Sequence, residues 1–227
     1  VLSEVAIVAP ESILATCTSS LSISQLGAAS GSGERLVGMH FFNPAPVMPL
    51  VEVVRGEDAS EEALQRATLL AEAWGKTVVH ASDTAGFIVS RIARPYYLES
   101  WRILEDGLAT VSEIDAAMQS LGEFRMGAFE LMDLIGQDIN LATTRSICDR
   151  LGHPPRLHPC DMQEQVVDRG HLGRKTGCGA YAHDDRESLV PAILVDRREL
   201  EISDRLRAAM NQFCLAATPH GGDEKSR

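Results

Sequence analysis

Apolar and polar residues alternate in short blocks along the first third of the chain. Four apolar runs of strand length are bounded by turn residues, and they predict buried strands at residues 12–16, 36–41, 50–54 and 77–81. The intervening stretches have the spacing of helices, at residues 1–9, 23–29 and 61–74. Strands that alternate with helices are typical of an α/β sheet.

The pattern changes after Asp83, where strand-like runs give way to apolar residues at helical spacing. Helices are predicted at residues 87–106, 110–121, 127–134, 137–151, 161–169 and 200–217. The predicted fold class is therefore α/β followed by all-α, a partial Rossmann-type sheet with a helical C-terminal domain. We predict domains at residues 1–82 and 83–184, and a C-terminal helix with a frayed tail at 185–227.

Charge excludes one class of partner. The 227 residues include 32 acidic and 21 basic side chains, which gives a net charge of -11, and the basic residues are scattered. A nucleic-acid surface needs clustered positive charge, so no nucleic-acid partner is predicted. No apolar run approaches the ~20 residues of a bilayer span, and the first residues lack the pattern of a secretory leader. We predict a cytoplasmic protein with no membrane partner.

The cysteines do not predict a metal site or a disulfide framework. There are five of them, widely spaced, and no CxxC pair occurs. His158 and Cys160 are close in sequence but lie among prolines, and no second pair of ligands accompanies them. No metal is therefore predicted.

His40 and Glu52 carry the clearest candidate chemistry. His40 ends the second predicted strand and Glu52 lies in the third, so the two side chains meet if the strands are neighbours. A carboxylate beside an imidazole fixes its tautomer and stabilises its protonated form, which suits removal of a hydroxyl proton near neutral pH. In isolation, the same residues favour the alternative of a buried strand-end histidine and a solvated glutamate.

A longer set of motifs gives a family resemblance. The run from His40 to Val53, HFFNPAPVMPLVEV, is similar to the HFFNPxPVMxLVEV signature of the 3-hydroxyacyl-CoA dehydrogenase family. Other blocks resemble family motifs in the same order: TCTSSL at 16–21, DTAGFIVSR at 83–91, MGAFELMDLIG at 126–136 and LGRKTGCGAY at 172–181. The resemblance covers residues 1–183. The sequence at 94–102 is most similar to the bacterial branch of the family that acts on 3-hydroxyadipyl-CoA, in phenylacetate breakdown, or on 3-hydroxybutyryl-CoA.

The resemblance implies an activity, a cofactor and a set of roles. The substrate is a 3-hydroxyacyl-CoA, the cofactor is NAD, and the helical domain forms a homodimer. His40 is the acid/base and Glu52 its partner. Ser19 is then expected to contact the substrate oxygen, and Ser90 the thioester. Asn43 and Cys17 are expected near the nicotinamide end, and Lys175 is expected to contact the cofactor.

The sequence also departs from the family. It contains no GxGxxG turn of the kind that binds a pyrophosphate at a helix N-terminus. Ser90 and Cys17 each replace an asparagine of the family pattern. Two hypotheses stand: part of an NAD-dependent dehydrogenase whose phosphate-binding segment lies outside this sequence, or a truncated, catalytically weak or inactive homologue that acts as a helical dimerisation or interaction protein.

Overall fold

Four strands form one mixed sheet in the order β1-β2-β3-β4, within residues 1–183, 201, 202 and 204–209 that the computed structural model describes. The strands are β1 (Leu14–Thr16), β2 (Leu36–Phe41), β3 (Leu50–Arg55) and β4 (Thr77–Ser82). β1 is parallel to β2, β3 is antiparallel to β2, and β4 is parallel to β3. β2 has the predicted bounds, and each of the other strands differs at one end only.

Three helices accompany the sheet: α1 (Leu2–Val8), α2 (Ile23–Ser30) and α3 (Glu61–Ala73). α2 and α3 both begin at a serine whose hydroxyl accepts a hydrogen bond from a backbone N–H in the first turn. Such a cap satisfies one of the amide groups that a helix N-terminus leaves without a partner. The predicted helix starts therefore have a local cause in the sequence.

Alternation along the strands gives the sheet two apolar faces. On one face, β2 and β3 pack against α3 through a buried cluster that includes Val37, Val51 and Ala67. On the other face, Leu36 and Val54 pack with residues of α2 and the segment after β4. His40 and Glu52 follow the same alternation as Leu36 and Val54, so they share the second face.

Gly38 lets α2 approach that second face closely. A Cβ atom at this position would lie 2.8 Å from Cβ of Val54 and 3.1 Å from Cδ1 of Ile23. A larger residue would therefore push α2 away from the strands on which the candidate site is built.

Helices and their connecting loops make up most of the rest of the described chain, as predicted. It contains α4 (Val89–Glu105), α5 (Val111–Ser120), α6 (Ala128–Ile135), α7 (Gln137–Arg150) and α8 (Asp161–Asp168). Residues 201, 202 and 204–209 are helical too, and the rest of the predicted helix at 200–217 and of the frayed tail lies outside the described residues. The predicted fold class, α/β followed by all-α, is confirmed. By its contacts the chain divides into two compact units, residues 1–91 and a second unit from Ile92 onward.

Two buried carboxylates organise the second unit. Asp133 accepts hydrogen bonds from the backbone N–H of Ala180 and Tyr181, and Asp115 accepts them from Phe129 and Glu130. The Tyr181 hydroxyl also donates to Asp115 at 2.8 Å. The family-like blocks at 126–136 and 172–181 are therefore joined by partly buried hydrogen bonds, which gives Asp133 a structural role.

None of the helices in the described residues combines the length and the hydrophobicity needed to cross a membrane.

Candidate active site

His40 and Glu52 form a buried pair on neighbouring strands. They are directly opposite in the antiparallel β2–β3 register, and Nδ1 of His40 lies 2.6 Å from Oε2 of Glu52. The side chain of Glu52 is fully buried and that of His40 is 8% exposed. The two side chains therefore meet, as expected for residues on neighbouring strands, with the imidazole close to the surface and the carboxylate behind it.

The second oxygen of Glu52 is held by the backbone that follows β4. Oε1 accepts hydrogen bonds from the N–H groups of Ile88 at 2.9 Å and Val89 at 3.0 Å. These amides lie at the start of α4, where N–H groups have no partner within the helix and favour a negative charge. Glu52 is thus placed as a carboxylate that accepts on both oxygens.

A turn of unusual backbone geometry brings these amides into place. Gly86 and Phe87 both have positive φ angles, 73° and 47°. Glycine adopts this conformation freely, whereas a bulky aromatic residue rarely does. The turn also places the Phe87 ring with its centroid 5.6 Å from that of His40, while Phe42 lies at 4.8 Å, both edge-on. The imidazole therefore lies between apolar rings, where electrostatic interactions are stronger than in water.

Three other candidate residues lie at one edge of the sheet. Because β1 and β2 are parallel, the residues that follow their carboxyl ends are neighbours in space. Cys17 and Ser19 follow β1, and Asn43 follows β2, the strand that ends beside His40. Ser19 is half-buried, while Cys17 and Asn43 are exposed. The edge thus offers a hydroxyl, a thiol and an amide close to the strand end that carries His40.

Sequence reasoning missed the role of Lys76. Its Nζ donates to the carbonyl oxygens of Ala45 at 2.6 Å and Met48 at 2.9 Å, in the loop between β2 and β3. The β3–β4 register aligns Leu50 with Thr77, so Lys76 comes directly beside that loop. The lysine therefore fastens the proline-rich loop that begins with Asn43. A pairing of the third and fourth predicted strands places Lys76 beside this loop.

Asp83 was also missed as a structural residue of the site. Its Oδ2 accepts hydrogen bonds from the Ser22 hydroxyl at 2.6 Å and from the Ser24 N–H at 2.9 Å. Burial alone would raise the pKa of Asp83, but these hydrogen bonds outweigh it and hold the pKa below its ordinary value. The carboxylate therefore occupies the N-terminus of α2 and ties it to the start of the DTAGF turn.

The remaining two predicted site residues lie on helical segments. Ser90 is half-buried in the first turn of α4, next to the amides that bind Glu52. Lys175 belongs to the second unit, where Nζ makes an ion pair with Asp138 at 2.6 Å. Ser90 thus directly follows an amide that binds Glu52, whereas Lys175 has a partner within its own unit.

Comparison with known proteins gives the same family for both parts of the chain. Residues 2–84 match the NAD binding domain of 3-hydroxyacyl-CoA dehydrogenase, and residues 86–183 match its C-terminal domain. The chain is 46% identical over 182 residues to the 3-hydroxyadipyl-CoA dehydrogenase of Escherichia coli K12, and 38% identical over 179 residues to a probable 3-hydroxybutyryl-CoA dehydrogenase of Bacillus subtilis. These alignments cover 80% and 79% of the chain.

A solved structure is similar as well. The crystal structure of 3-hydroxybutyryl-CoA dehydrogenase from Escherichia coli matches with a TM-score of 0.77 and 43% identity, over 86% of this chain and 42% of that one. The chain spans only 38% and 62% of the length of the two curated relatives. The recognised family and the NAD-binding character of its first domain are confirmed, and the residue roles stay predictions.

Proposed function

The chain belongs to the 3-hydroxyacyl-CoA dehydrogenase family, and we propose that it supplies the acid/base site for NAD-dependent oxidation of a (S)-3-hydroxyacyl-CoA to the 3-oxoacyl-CoA. One observation carries the proposal: the buried pair of His40 and Glu52 at the end of β2. The names of the relatives, which include 3-hydroxyadipyl-CoA and 3-hydroxybutyryl-CoA dehydrogenases, support a 3-hydroxyacyl thioester as the substrate class.

Glu52 determines which nitrogen of His40 acts. Because the carboxylate accepts, the neutral imidazole carries its proton on Nδ1 and its lone pair on Nε2. Nε2 takes the proton of the substrate 3-hydroxyl as the carbonyl forms, and in the reducing direction it returns that proton to the oxygen. Bound NAD supplies the acceptor for the hydride that leaves C3.

The surroundings of the pair favour this proton transfer. Glu52 stabilises the imidazolium that forms, and the N–H groups of Ile88 and Val89 keep the carboxylate in place. Phe42 and Phe87 limit the access of water to the ring. A positioned base of this kind accelerates proton transfer by about 10²–10⁴-fold.

We assign the other site residues the roles that the family resemblance implies. Ser19, which follows β1, contacts the substrate oxygen, and Ser90, which directly follows an amide that binds Glu52, contacts the thioester carbonyl. Asn43 and Cys17 face the nicotinamide end from the same sheet edge. The family resemblance also implies a cofactor contact for Lys175, whose Nζ pairs with Asp138 within the second unit.

The residues of this chain fit one end of NAD better than the other. The sheet edge offers the amide and hydroxyl groups that a nicotinamide can use. The sequence contains no GxGxxG turn, and Asp83 already occupies the N-terminus of α2 with a negative charge. We therefore assign no residue of the described chain to the pyrophosphate.

A turnover assay tests the proposal. Formation of NADH is followed with NAD and either 3-hydroxyadipyl-CoA or 3-hydroxybutyryl-CoA, in the wild type, His40→Gln and the control His80→Gln. We expect His40→Gln to lower kcat by about 10²–10⁴-fold. His80 is exposed on β4, so His80→Gln keeps the wild-type rate. Equal measurable rates in all three proteins would remove the assigned role of His40, and a wild type without turnover would refute the proposed activity of this chain.

A second function, as a helical interaction module, is favoured by a separate observation. Leu134, Ile135 and Ile139, at the junction of α6 and α7, are 43%, 38% and 51% exposed. Grouped apolar exposure of this kind marks interaction surfaces, and we propose that a second copy of the chain covers it. Sedimentation analysis of the wild type and Ile139→Glu tests this: a dimer that dissociates in the variant supports the proposal, and a monomeric wild type refutes it.

The cysteines support a location for the protein. Cys17, Cys148, Cys160 and Cys178 are all free. Unpaired thiols fit a reducing compartment, so we propose that the protein is cytoplasmic.

A further inference from the structure

Three possible metal ligands meet in the second unit, in residues that the dehydrogenase proposal does not use. Cys148 lies in the last turn of α7, and His153 and His158 lie in the segment that follows. One ligand atom from each side chain lies within 4.8 Å of the other two. The cysteine is buried and both histidines are exposed, so the group opens to solvent on one side.

One of the three ligand distances is close to that of a tetrahedral site. Sγ of Cys148 lies 3.9 Å from Nδ1 of His153. Zinc bonds of about 2.3 Å to sulfur and about 2.0 Å to nitrogen imply a sulfur–nitrogen separation of roughly 3.5 Å at the tetrahedral angle. A shift of a few tenths of an ångström, within reach of a rotation of the exposed histidine, would bring the two atoms to a shared ion.

Hydrogen bonding fixes the state of the second imidazole. Nε2 of His158 lies 3.0 Å from the carbonyl oxygen of His153, which can only accept, so Nε2 carries the proton of the neutral ring. The lone pair is then on Nδ1, and a histidine whose other nitrogen donates to a carbonyl is the usual arrangement of a metal ligand. Asp149 adds negative charge, with Oδ1 3.6 Å from Nδ1 of His153.

The backbone turns back sharply to bring the histidines to the cysteine. Gly152 and His153 have positive φ angles of 74° and 58°, a conformation that reverses the chain directly after α7. The N–H of His153 donates to the Cys148 carbonyl at 2.9 Å, which holds the turn against the helix end.

We propose that Cys148, His153 and His158 bind a zinc ion, with water at the fourth position of the tetrahedron. One thiolate and two neutral imidazoles form a mixed sulfur and nitrogen set, which zinc binds preferentially over magnesium or calcium. The bound ion joins the end of α7 to the 153–158 segment.

The site uses a different cysteine from the one that is nearest in sequence. Cys160 is buried, and its Sγ donates to the Leu98 carbonyl at 3.6 Å.

Metal titration of the untagged full chain tests the proposal. After removal of metals with a chelator, zinc chloride is added in competition with a chromophoric chelator, and cobalt chloride is added separately to detect a thiolate-to-cobalt absorption band. The variants are Cys148→Ser and His158→Gln, and the matched controls are Cys178→Ser and His80→Gln. Circular dichroism checks the fold of each protein.

We expect one zinc ion per chain and a thiolate–cobalt band in the wild type and in both controls. His158→Gln should weaken zinc binding by more than the roughly 10–100-fold that loss of an outer partner causes, and Cys148→Ser should remove the band. His158 is exposed, so its variant decides the question even if Cys148→Ser fails to fold. Absence of zinc binding in the wild type, or wild-type affinity in His158→Gln, overturns the proposal.

Discussion

Replacement of Glu52 by glutamine tests the buried pair without any need for cofactor or substrate. The carboxylate accepts three hydrogen bonds, from Nδ1 of His40 and from the N–H groups of Ile88 and Val89. In Glu52→Gln one oxygen becomes an NH₂ group, which cannot accept. The least costly arrangement turns the amide oxygen to the two backbone amides and the NH₂ to His40, which reverses the imidazole tautomer.

The expected loss of stability follows from these three bonds. A hydrogen bond to a charged acceptor contributes about 1 kcal/mol more than a neutral one, so Glu52→Gln should lower the free energy of unfolding by roughly 3 kcal/mol. Urea denaturation measures this loss, and hydrogen exchange at residues 88 and 89 should quicken.

Glu61→Gln is the matched control for this experiment. Glu61 makes an ion pair with Arg55 in which both side chains are largely exposed, and such pairs contribute at most about 1 kcal/mol. If Glu52→Gln changes stability no more than Glu61→Gln does, the interpretation of the buried pair is wrong.

Two further predictions concern the surrounding structure. Burial raises the pKa of Asp115 to about 6, so the contribution of this group to stability is largest below its unfolded pKa of about 4 and declines as pH rises through 6. Thermal melts of Asp115→Asn at a series of pH values should lack this decline. A pH profile equal to that of the wild type would refute the prediction. Lys76→Met removes the hydrogen bonds to Ala45 and Met48, so proteases should cleave the 43–49 loop faster in this variant than in Lys76→Arg. Equal cleavage rates in the two variants would show that the lysine does not fasten the loop.

The sequence predicted most of the fold because the patterns have local physical causes. β2 and β3 are short apolar runs bounded by turn residues, and α2 and α3 begin at serines that cap them. The relative direction of the strands was not predictable in the same way. The apolar pattern does not show that β2 and β3 are antiparallel while β3 and β4 are parallel.

The candidate site was predictable where it depends on strand pairing and not where it depends on backbone groups. The meeting of His40 and Glu52 needs only that β2 and β3 are neighbours. The support from Ile88 and Val89 comes through N–H groups, which any residue carries, and through a positive φ at Phe87, which the residue type disfavours. Sequence patterns carry little information about either.

The zinc ligands show the same limit. His158 is two residues from Cys160 in sequence, yet it lies beside Cys148, because the chain reverses after α7 and Cys160 turns into the core. The sequence therefore predicted no metal, because the cysteine next to His158 in space is not the one next to it in the chain.

The protonation of His40 is the most direct test of the account, because the whole proposal requires a lone pair on Nε2. Nitrogen NMR of protein labelled in its histidines, recorded in mildly alkaline buffer, reports which ring nitrogen carries the proton. We predict a proton on Nδ1 in the wild type and on Nε2 in Glu52→Gln. A proton on Nε2 of His40 in the wild type would contradict the assignment of this residue as the base.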